Sequence, residues 1–486
     1  MSELHDLSAL RLAEAVRRRE LSPVEIVEHY LARIDRLGDR FGAFITVTKE
    51  LAREQARNAE KRILTDTPEE LPPLLGVPVP IKDLEPVAGV RYTSGSIIHA
   101  DRIARVDSAV VAELRAAGAI IIGKTNTPEF GSPCYTENDI APPARTPWDP
   151  SRSAGGSSGG AAAAVAAGLS PLAHGTDGGG SIRIPASACG IFGLKPTRGR
   201  ITSAPLKPDF IGLSTSGPLA RTVSDAALLL DAISVNRPGD YYTAQPLPPG
   251  ETFLGHAQRD PGRLRIARFC KPPLPGAEVH PEVSAAYEAA TKLLSELGHD
   301  IEEIDTPFDA SVLCRFELVW AAMAAADPLP PEAEGRLRPI NRWLRERARQ
   351  SSIADYMEAT AALQMAVRAA LPTMLPYDAV LCPTLALPPV PIGYFGADPA
   401  AEFHRMSLFT PFTSMFNMTG QPSVNVPLHW SDEGLPIGVM LSGRMGGEPT
   451  LLSLSAQMEA ARPWADRRPA AWRDRAAASE YGIIKV

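Results

Sequence analysis

The chain has 486 residues, of which 44% are hydrophobic, 22% charged and 6% aromatic, the balance of a globular protein with room for a large core. Lysine and arginine number 49 against 56 aspartates and glutamates, a formal charge of −7 with the two signs interspersed; there is no basic stripe to track phosphates, which excludes a nucleic-acid or acidic-membrane partner. The five cysteines are widely spaced, form no CxxC or Cys/His cluster, and predict reduced core thiols in a cytoplasmic protein.

The first twenty residues contain no apolar stretch of the signal-peptide kind, and the longest weakly apolar run, 161–168, is far below the ~18 residues of a membrane span. From Ser22, SPVE forms a capping box with proline at the first helical position; Val27, Leu31, Ile34 and Leu37 follow on one face, and Gly38 is the expected stop. Short apolar, often β-branched runs at 41–48, 77–81, 119–122, 264–269, 379–382 and 436–441 predict strands, with alanine-rich helical patterns such as 108–116 and 224–233 between them. This alternation predicts an α/β fold: a large mixed, mostly parallel sheet covered by helices on both faces. One segment departs from it. Residues 305–371 are helix-rich, broken by DPLPPEAEG at 327–335 and without a clear strand, which predicts a helical cap or insertion that either shapes a pocket or simply covers the sheet. The 47 prolines, roughly twice the usual share of about 5%, are scattered between the apolar runs and mark fixed turns. Met406, Met415 and Met418 are irregularly spaced and are expected in the core.

Three stretches depart from what packing alone would write. GVPVPIKDL at 76–84 puts Lys82 at or just past a strand end, where a lone lysine ordinarily snorkels to solvent. SAGGSSGGAAAAVAAG at 153–168 and HGTDGGGSIRIPASACG at 174–190 are glycine and serine loops running into small-residue helices. Such loops expose backbone N–H groups and hold anions. A P-loop would close on GKS or GKT, a dinucleotide site would read GxGxxG, and neither loop does so. The other anion these loops can hold is the transient oxyanion of acyl transfer, which needs a nucleophile beside the donors. Residues 155–159 match the GxSxG elbow by letter, but no strand immediately precedes them and none of the nine histidines stands in the context of a base. A serine nucleophile then needs another base, and lysine serves if burial leaves it neutral.

Lys82 in GVPVPIKD, Ser157 in GGSSGG and Ser181 in GTDGGGSIRIPA together resemble the amidase signature family. ELSPVEIVEHYLARI at 20–34, GKTNTPEFG at 123–131, TPWDPSRSAGGSSGG at 146–160, GLKPTRGRI at 193–201, FNMTGQPSVNVP at 416–427 and GLPIGVML at 434–441 are similar to family segments in family order. The run at 170–201 and RPGD at 237–240 look most like the branch with 6-aminohexanoate cyclic-dimer hydrolase, aryl-acylamidases and urethanases.

The resemblance covers roughly residues 20–465 and implies one amidase domain over 1–486, with the helical cap at 305–371. It implies hydrolysis of carboxylic amides, C–N bonds other than peptide bonds, through a Ser-cisSer-Lys triad and an acyl-enzyme, with no metal and no cofactor. Ser181 would be the nucleophile. Ser157, on a cis peptide after Gly156, would relay its proton to neutral Lys82, and the N–H groups of Gly178, Gly179, Gly180 and Ser181 would form the oxyanion hole. Ser158, Asp177 and Arg183 would support the loop, Cys134 and Tyr135 would line the acyl pocket, and Cys314 would be a core thiol or a pocket residue. The expected partner is a small, largely uncharged amide or carbamate, handled by a monomer or homodimer. Two other readings stand beside this one: an amidotransferase subunit that releases ammonia from glutamine within a complex, and a catalytically inert binding protein.

Overall fold

The computed structural model describes residues 3–205, 207–208 and 211–474, without the side chains of 313 and 314. The expectation for Cys314 therefore lies outside the described residues.

The capping box at Ser22 opens the helix Pro23–Phe41, where the Ser22 hydroxyl accepts the Val24 N–H at 3.1 Å. Ile26, Val27, Tyr30, Leu31, Ile34 and Leu37 are buried along it. The helix does not stop at Gly38. Phe41 is fully buried one turn further on, which outweighs the ~1 kcal/mol cost of an interior glycine, and Gly42 ends the helix in the left-handed conformation.

The strands are β1 (Phe44–Val47), β2 (Pro78–Lys82), β3 (Ile120–Thr125), β4 (Leu172–Asp177), β5 (Phe192–Lys195), β6 (Thr215–Ala220), β7 (Arg265–Arg268), β8 (Asp300–Glu303), β9 (Ala379–Pro383), β10 (Ser423–Trp430) and β11 (Pro436–Gly443). They form a three-stranded sheet in the order β1–β3–β2 and an eight-stranded sheet in the order β4–β6–β5–β10–β11–β9–β7–β8. Every residue of β2, β5, β9 and β11 is buried. Successive side chains point to opposite faces, so both faces of these strands are covered.

The fold is α/β with a large mixed sheet, as its alternation of elements predicts, but the balance of strand directions differs from the expectation. β4–β6, β6–β5, β5–β10, β10–β11 and β11–β9 pair antiparallel, while β9–β7 and β7–β8 pair parallel. The helical crossover from β4 to β5 joins two strands that run parallel to each other but are not neighbours. β6 fits between them in the opposite sense, and alternation of elements alone does not reveal such an intercalation.

The segment 305–371 is helical as expected, with helices Ser311–Ala325, Pro331–Glu334, Pro339–Arg349 and Ile353–Met374. Met406, Met415 and Met418 are buried in the core. Among the described residues no helix is long and apolar enough to cross a membrane. Functionally, the key juncture is where the edge strands β2 and β4 of the two sheets lie side by side, which brings the ends carrying Lys82 and Asp177 together.

Candidate active site

Lys82, the last residue of β2, does not snorkel to solvent; its side chain is completely buried. Nζ lies 2.7 Å from Ser157 Oγ, 2.8 Å from Thr176 Oγ1 and 3.3 Å from Thr176 O. All three oxygens are uncharged. Burial drives the Lys82 pKa well below the ordinary lysine range; the Asp177 carboxylate opposes this, the Lys207 charge adds to it, and Glu85 opposes it more weakly.

Ser157 reaches Nζ from the loop before the helix Gly159–Ala166, and the Gly156–Ser157 peptide is cis. Gly156 lies against the backbone of Tyr135, where a Cβ would stand 2.6 Å from the carbonyl carbon, so only glycine permits the approach. Ser158 ties the pieces together. Its hydroxyl donates to Thr176 O at 3.1 Å, and its N–H donates to Ser181 O at 3.1 Å.

Beyond β4 the chain turns through Gly178, Gly179 and Gly180 to Ser181, just ahead of the helix Arg183–Cys189. The turn is built around the Asp177 carboxylate. It accepts Arg183 Nε and Nη2 at 2.9 Å each, Asn417 Nδ2 at 2.9 Å, and the N–H groups of Gly180 and Ile182 at 2.7 and 3.1 Å. Burial pushes this carboxyl up, but Arg183, Lys195 and Asn417 outweigh it and hold Asp177 well below the usual carboxylate range. The oxyanion-hole expectation needs one correction here. The Gly180 N–H is committed to Asp177, which leaves Gly178, Gly179 and Ser181 as the candidate donors. Gly180 itself is required by conformation: its φ is +133°, and a Cβ would stand 2.4 Å from Thr413 Oγ1.

A cavity of about 140 Å³ opens over Ser157, Gly178 and Ser181. Leu84, Phe130, Trp320 and Met323 give it apolar walls, with Asp327 and Arg345 at a polar end. Trp320, Met323, Asp327 and Arg345 all belong to the helical segment 305–371, so this layer shapes the pocket. An adjoining cavity of about 230 Å³ shares Leu84, Phe130, Thr176, Ser214 and Asp327 with the first. It is more polar. Glu85 is paired with Lys207 there, and Asp240, from the RPGD segment, accepts the Thr202 hydroxyl at 2.6 Å.

Cys134 and Tyr135 line neither cavity. Tyr135 stacks on Phe395 with ring centroids 4.8 Å apart and donates its hydroxyl to Glu402 at 2.5 Å, and Cys134 packs into the same apolar cluster. Burial pushes the Cys134 thiol far up, away from reactivity. Their contribution is behind the site, as the surface on which the Gly156 backbone rests. Sequence reasoning missed Thr176, which carries two of the three Lys82 contacts, and Asn417, which binds the Asp177 carboxylate. Asn417 lies in the FNMTGQ motif, and that placement was the available signal for it; Thr176 had none beyond its position next to Asp177. Far from the site, Glu3, His5 and His29 each place a ligand atom within 4.8 Å of the others, but both His5 ring nitrogens are already engaged, one with His29 Nε2 at 3.0 Å and the other with Trp472 O at 3.1 Å.

A strand-end lysine without a carboxylate partner, a serine on a cis peptide and a serine after a glycine turn thus come together beside one cavity in an α/β fold. The Amidase family pattern matches residues 25–452, and the chain belongs to that family, the amidohydrolases acting on C–N bonds other than peptide bonds. Among its relatives, the Mycobacterium tuberculosis protein AmiB2, an amidase by name, is 43% identical over 453 residues, which cover 91% of this chain and 94% of that one. The acylamidase of Rhodococcus erythropolis is 35% identical over 473 residues, covering 96% and 98% of the two chains. Among solved structures, 6-aminohexanoate cyclic dimer hydrolase in complex with its substrate superposes with a TM-score of 0.89 at 32% identity, covering 97% of this chain and all of the other.

Proposed function

We propose that the chain hydrolyses small, largely uncharged amides through an acyl-enzyme on Ser181, with Lys82 as base and Ser157 as the bridge. The geometry at Lys82 Nζ carries this reading. A neutral amine has two protons and one lone pair. Thr176 Oγ1 and O take the two protons, so the lone pair is directed at the Ser157 hydroxyl 2.7 Å away. Ser157 passes its proton to Lys82 and takes the proton of Ser181 as that oxygen attacks the carbonyl. The N–H groups of Gly178, Gly179 and Ser181 receive the developing oxyanion. The proton returns through Ser157 to the departing amine, and water then repeats the sequence to release the acid.

The apolar walls of the first cavity favour an aliphatic or aryl part on the substrate, in keeping with relatives named for acylamide and aminohexanoate cleavage. A carbamate passes through the same attack, oxyanion and amine departure. The test is hydrolysis by the purified chain alone of p-nitroanilides of graded acyl length, a dicarbamate and the cyclic aminohexanoate dimer, ranked by kcat/KM. We expect Ser181→Ala to lower kcat by about a thousandfold or more, and a fluorophosphonate to label the Ser181 peptide. Full activity in that variant overturns the assignment. Release of ammonia from glutamine, without amide turnover, identifies an amidotransferase subunit instead.

A further inference from the structure

The turn from β4 to Ser181 runs through three successive glycines, none of which has a side chain to restrict its own backbone. The Gly179–Gly180 peptide is the least restricted of all, because a glycine flanks it on either side. Its plane is nevertheless held from both ends. The Gly180 N–H donates to Asp177 Oδ1 at 2.7 Å, and the Gly179 carbonyl accepts the hydroxyl of Thr413 at 2.6 Å. Thr413 lies 234 positions beyond Gly179, just ahead of the helix Met415–Thr419, and is completely buried. It is fixed there in turn, since its own carbonyl accepts Arg183 Nη1 at 2.8 Å, from the same guanidinium that holds Asp177. A Cβ on residue 180 would come within 2.4 Å of the Thr413 hydroxyl oxygen, so glycine at 180 is what lets that hydroxyl reach the neighbouring carbonyl.

We propose that Thr413 is a positioning residue for the oxyanion: it holds the Gly179–Gly180 peptide in the one orientation that leaves the flanking N–H groups free for the substrate. The inference rests on the proposed attack by Ser181. The held peptide lies between the two that carry the candidate donors, since the peptide before it bears the Gly179 N–H and the peptide after it bears the Ser181 N–H. Its plane therefore sets how those two donors stand to each other. Turning it over would also place a carbonyl oxygen, with its partial negative charge, among groups that must receive a developing anion. With Asp177 alone, such a turn breaks one hydrogen bond. With Thr413 it breaks two, and the second comes from a side chain locked in the core. Thr413 lines neither cavity, so it acts on the reaction only through the turn.

The test compares inhibition of p-nitroanilide turnover by an alkyl trifluoromethyl ketone and by the alcohol of the same skeleton. On the ketone the Ser181 oxygen bonds to the carbonyl carbon, the carbonyl electron pair moves to oxygen and the serine proton passes to Ser157, which leaves a stable tetrahedral oxyanion; the alcohol cannot form it. Thr413→Val keeps the shape and loses the hydroxyl. It is expected to lower kcat about ten- to a hundredfold, short of the ~10²–10³ for deleting a donor outright, with KM within about twofold. Affinity for the ketone should fall by the same factor as kcat/KM, affinity for the alcohol should hold, and Thr413→Ser should restore the wild-type values. The ratio of the two affinities is a property of the folded molecules alone, so a lower melting temperature in the valine variant does not disturb it. A valine variant with wild-type kcat and ratio overturns the proposal whatever its stability, as does a loss shared equally by ketone and alcohol, or one that serine does not relieve. Failure of the underlying reading shows in other proteins of the series: a wild type that binds the ketone no better than the alcohol, or full turnover by Ser181→Ala, removes the acyl-enzyme and this proposal with it.

Discussion

Two lysines on neighbouring strands, both completely buried, show how little the residue type alone decides. Ile81 stands opposite Lys124 and Lys82 opposite Thr125 in the β2–β3 ladder. Lys124 Nζ donates to Asp83 Oδ1 at 2.6 Å, while the other Asp83 oxygen accepts the N–H and hydroxyl of Thr93 at 3.0 and 2.5 Å. Lys82 meets only the neutral oxygens of Ser157 and Thr176. Burial lowers both pKa values, but at Lys124 the Asp83 charge and hydrogen bond push back. One carboxylate in hydrogen-bond contact therefore separates the structural Lys124 from Lys82, the base we propose. The Asp177–Arg183 pair follows the Lys124 pattern: its charges are matched, and what it stabilises is the turn that presents Ser181.

Methionine at each position sharpens the contrast most. Lys82→Met removes the base and should lower kcat by about 10³- to 10⁴-fold, read by p-nitroanilide turnover. It should not lower the melting temperature. Between the depressed folded-state pKa of Lys82 and its ordinary value near 10.5, the unfolded chain binds a proton that the folded chain lacks, so stability rises with pH across that window and burial of Lys82 costs stability below 10.5. Lys124→Met reverses the outcome. It strands the Asp83 carboxylate, and breaking a buried pair in this way costs about 3–5 kcal/mol, read by denaturant unfolding. Equal loss of stability in the two variants would refute the distinction.

The residues that could be located from sequence were those whose demand is local. Glycine runs ahead of helices, the capping box at Ser22 and a lysine closing an apolar run all state a backbone requirement within a few positions, and the motifs around Lys82, Ser157 and Ser181 rest on such requirements. What escaped depends on distant partners. β4, with the sequence LAHGTD, looks like a loop and becomes a strand only because β6 pairs with all six of its residues. Its end carries Thr176, so missing the strand meant missing the second anchor of Lys82. The partner of Lys124 was hidden for a different reason. Asp83 directly follows Lys82 in the chain and is 41 positions from Lys124, and only the strand register brings it to Lys124. The walls supplied by Trp320 and Arg345, and the Gly180 N–H turned toward Asp177, likewise follow from packing across the fold.

The smallest expected effect tests whether Thr176 orients the Lys82 amine or merely fills space. Thr176→Val keeps the shape and the backbone carbonyl but removes Oγ1, the closer of the two Thr176 oxygens that accept from Nζ. With one acceptor lost the lone pair is less firmly aimed at Ser157, and kcat should fall about tenfold, roughly the worth of one hydrogen bond, with KM little changed. The pH profile separates the two roles. Activity is gained as pH rises through the Lys82 pKa, because the amine must be neutral to act, so kcat/KM has an acid limb lying well below 10.5. An oxygen acceptor binds an ammonium more strongly than an amine, so its removal lowers that pKa further and moves the limb to lower pH. Thr176→Ser, which restores the hydroxyl, should return both the rate and the limb. A rate loss with an unmoved limb, unrelieved by serine, would assign Thr176 to packing and leave the orientation of Lys82 to Ser157 alone.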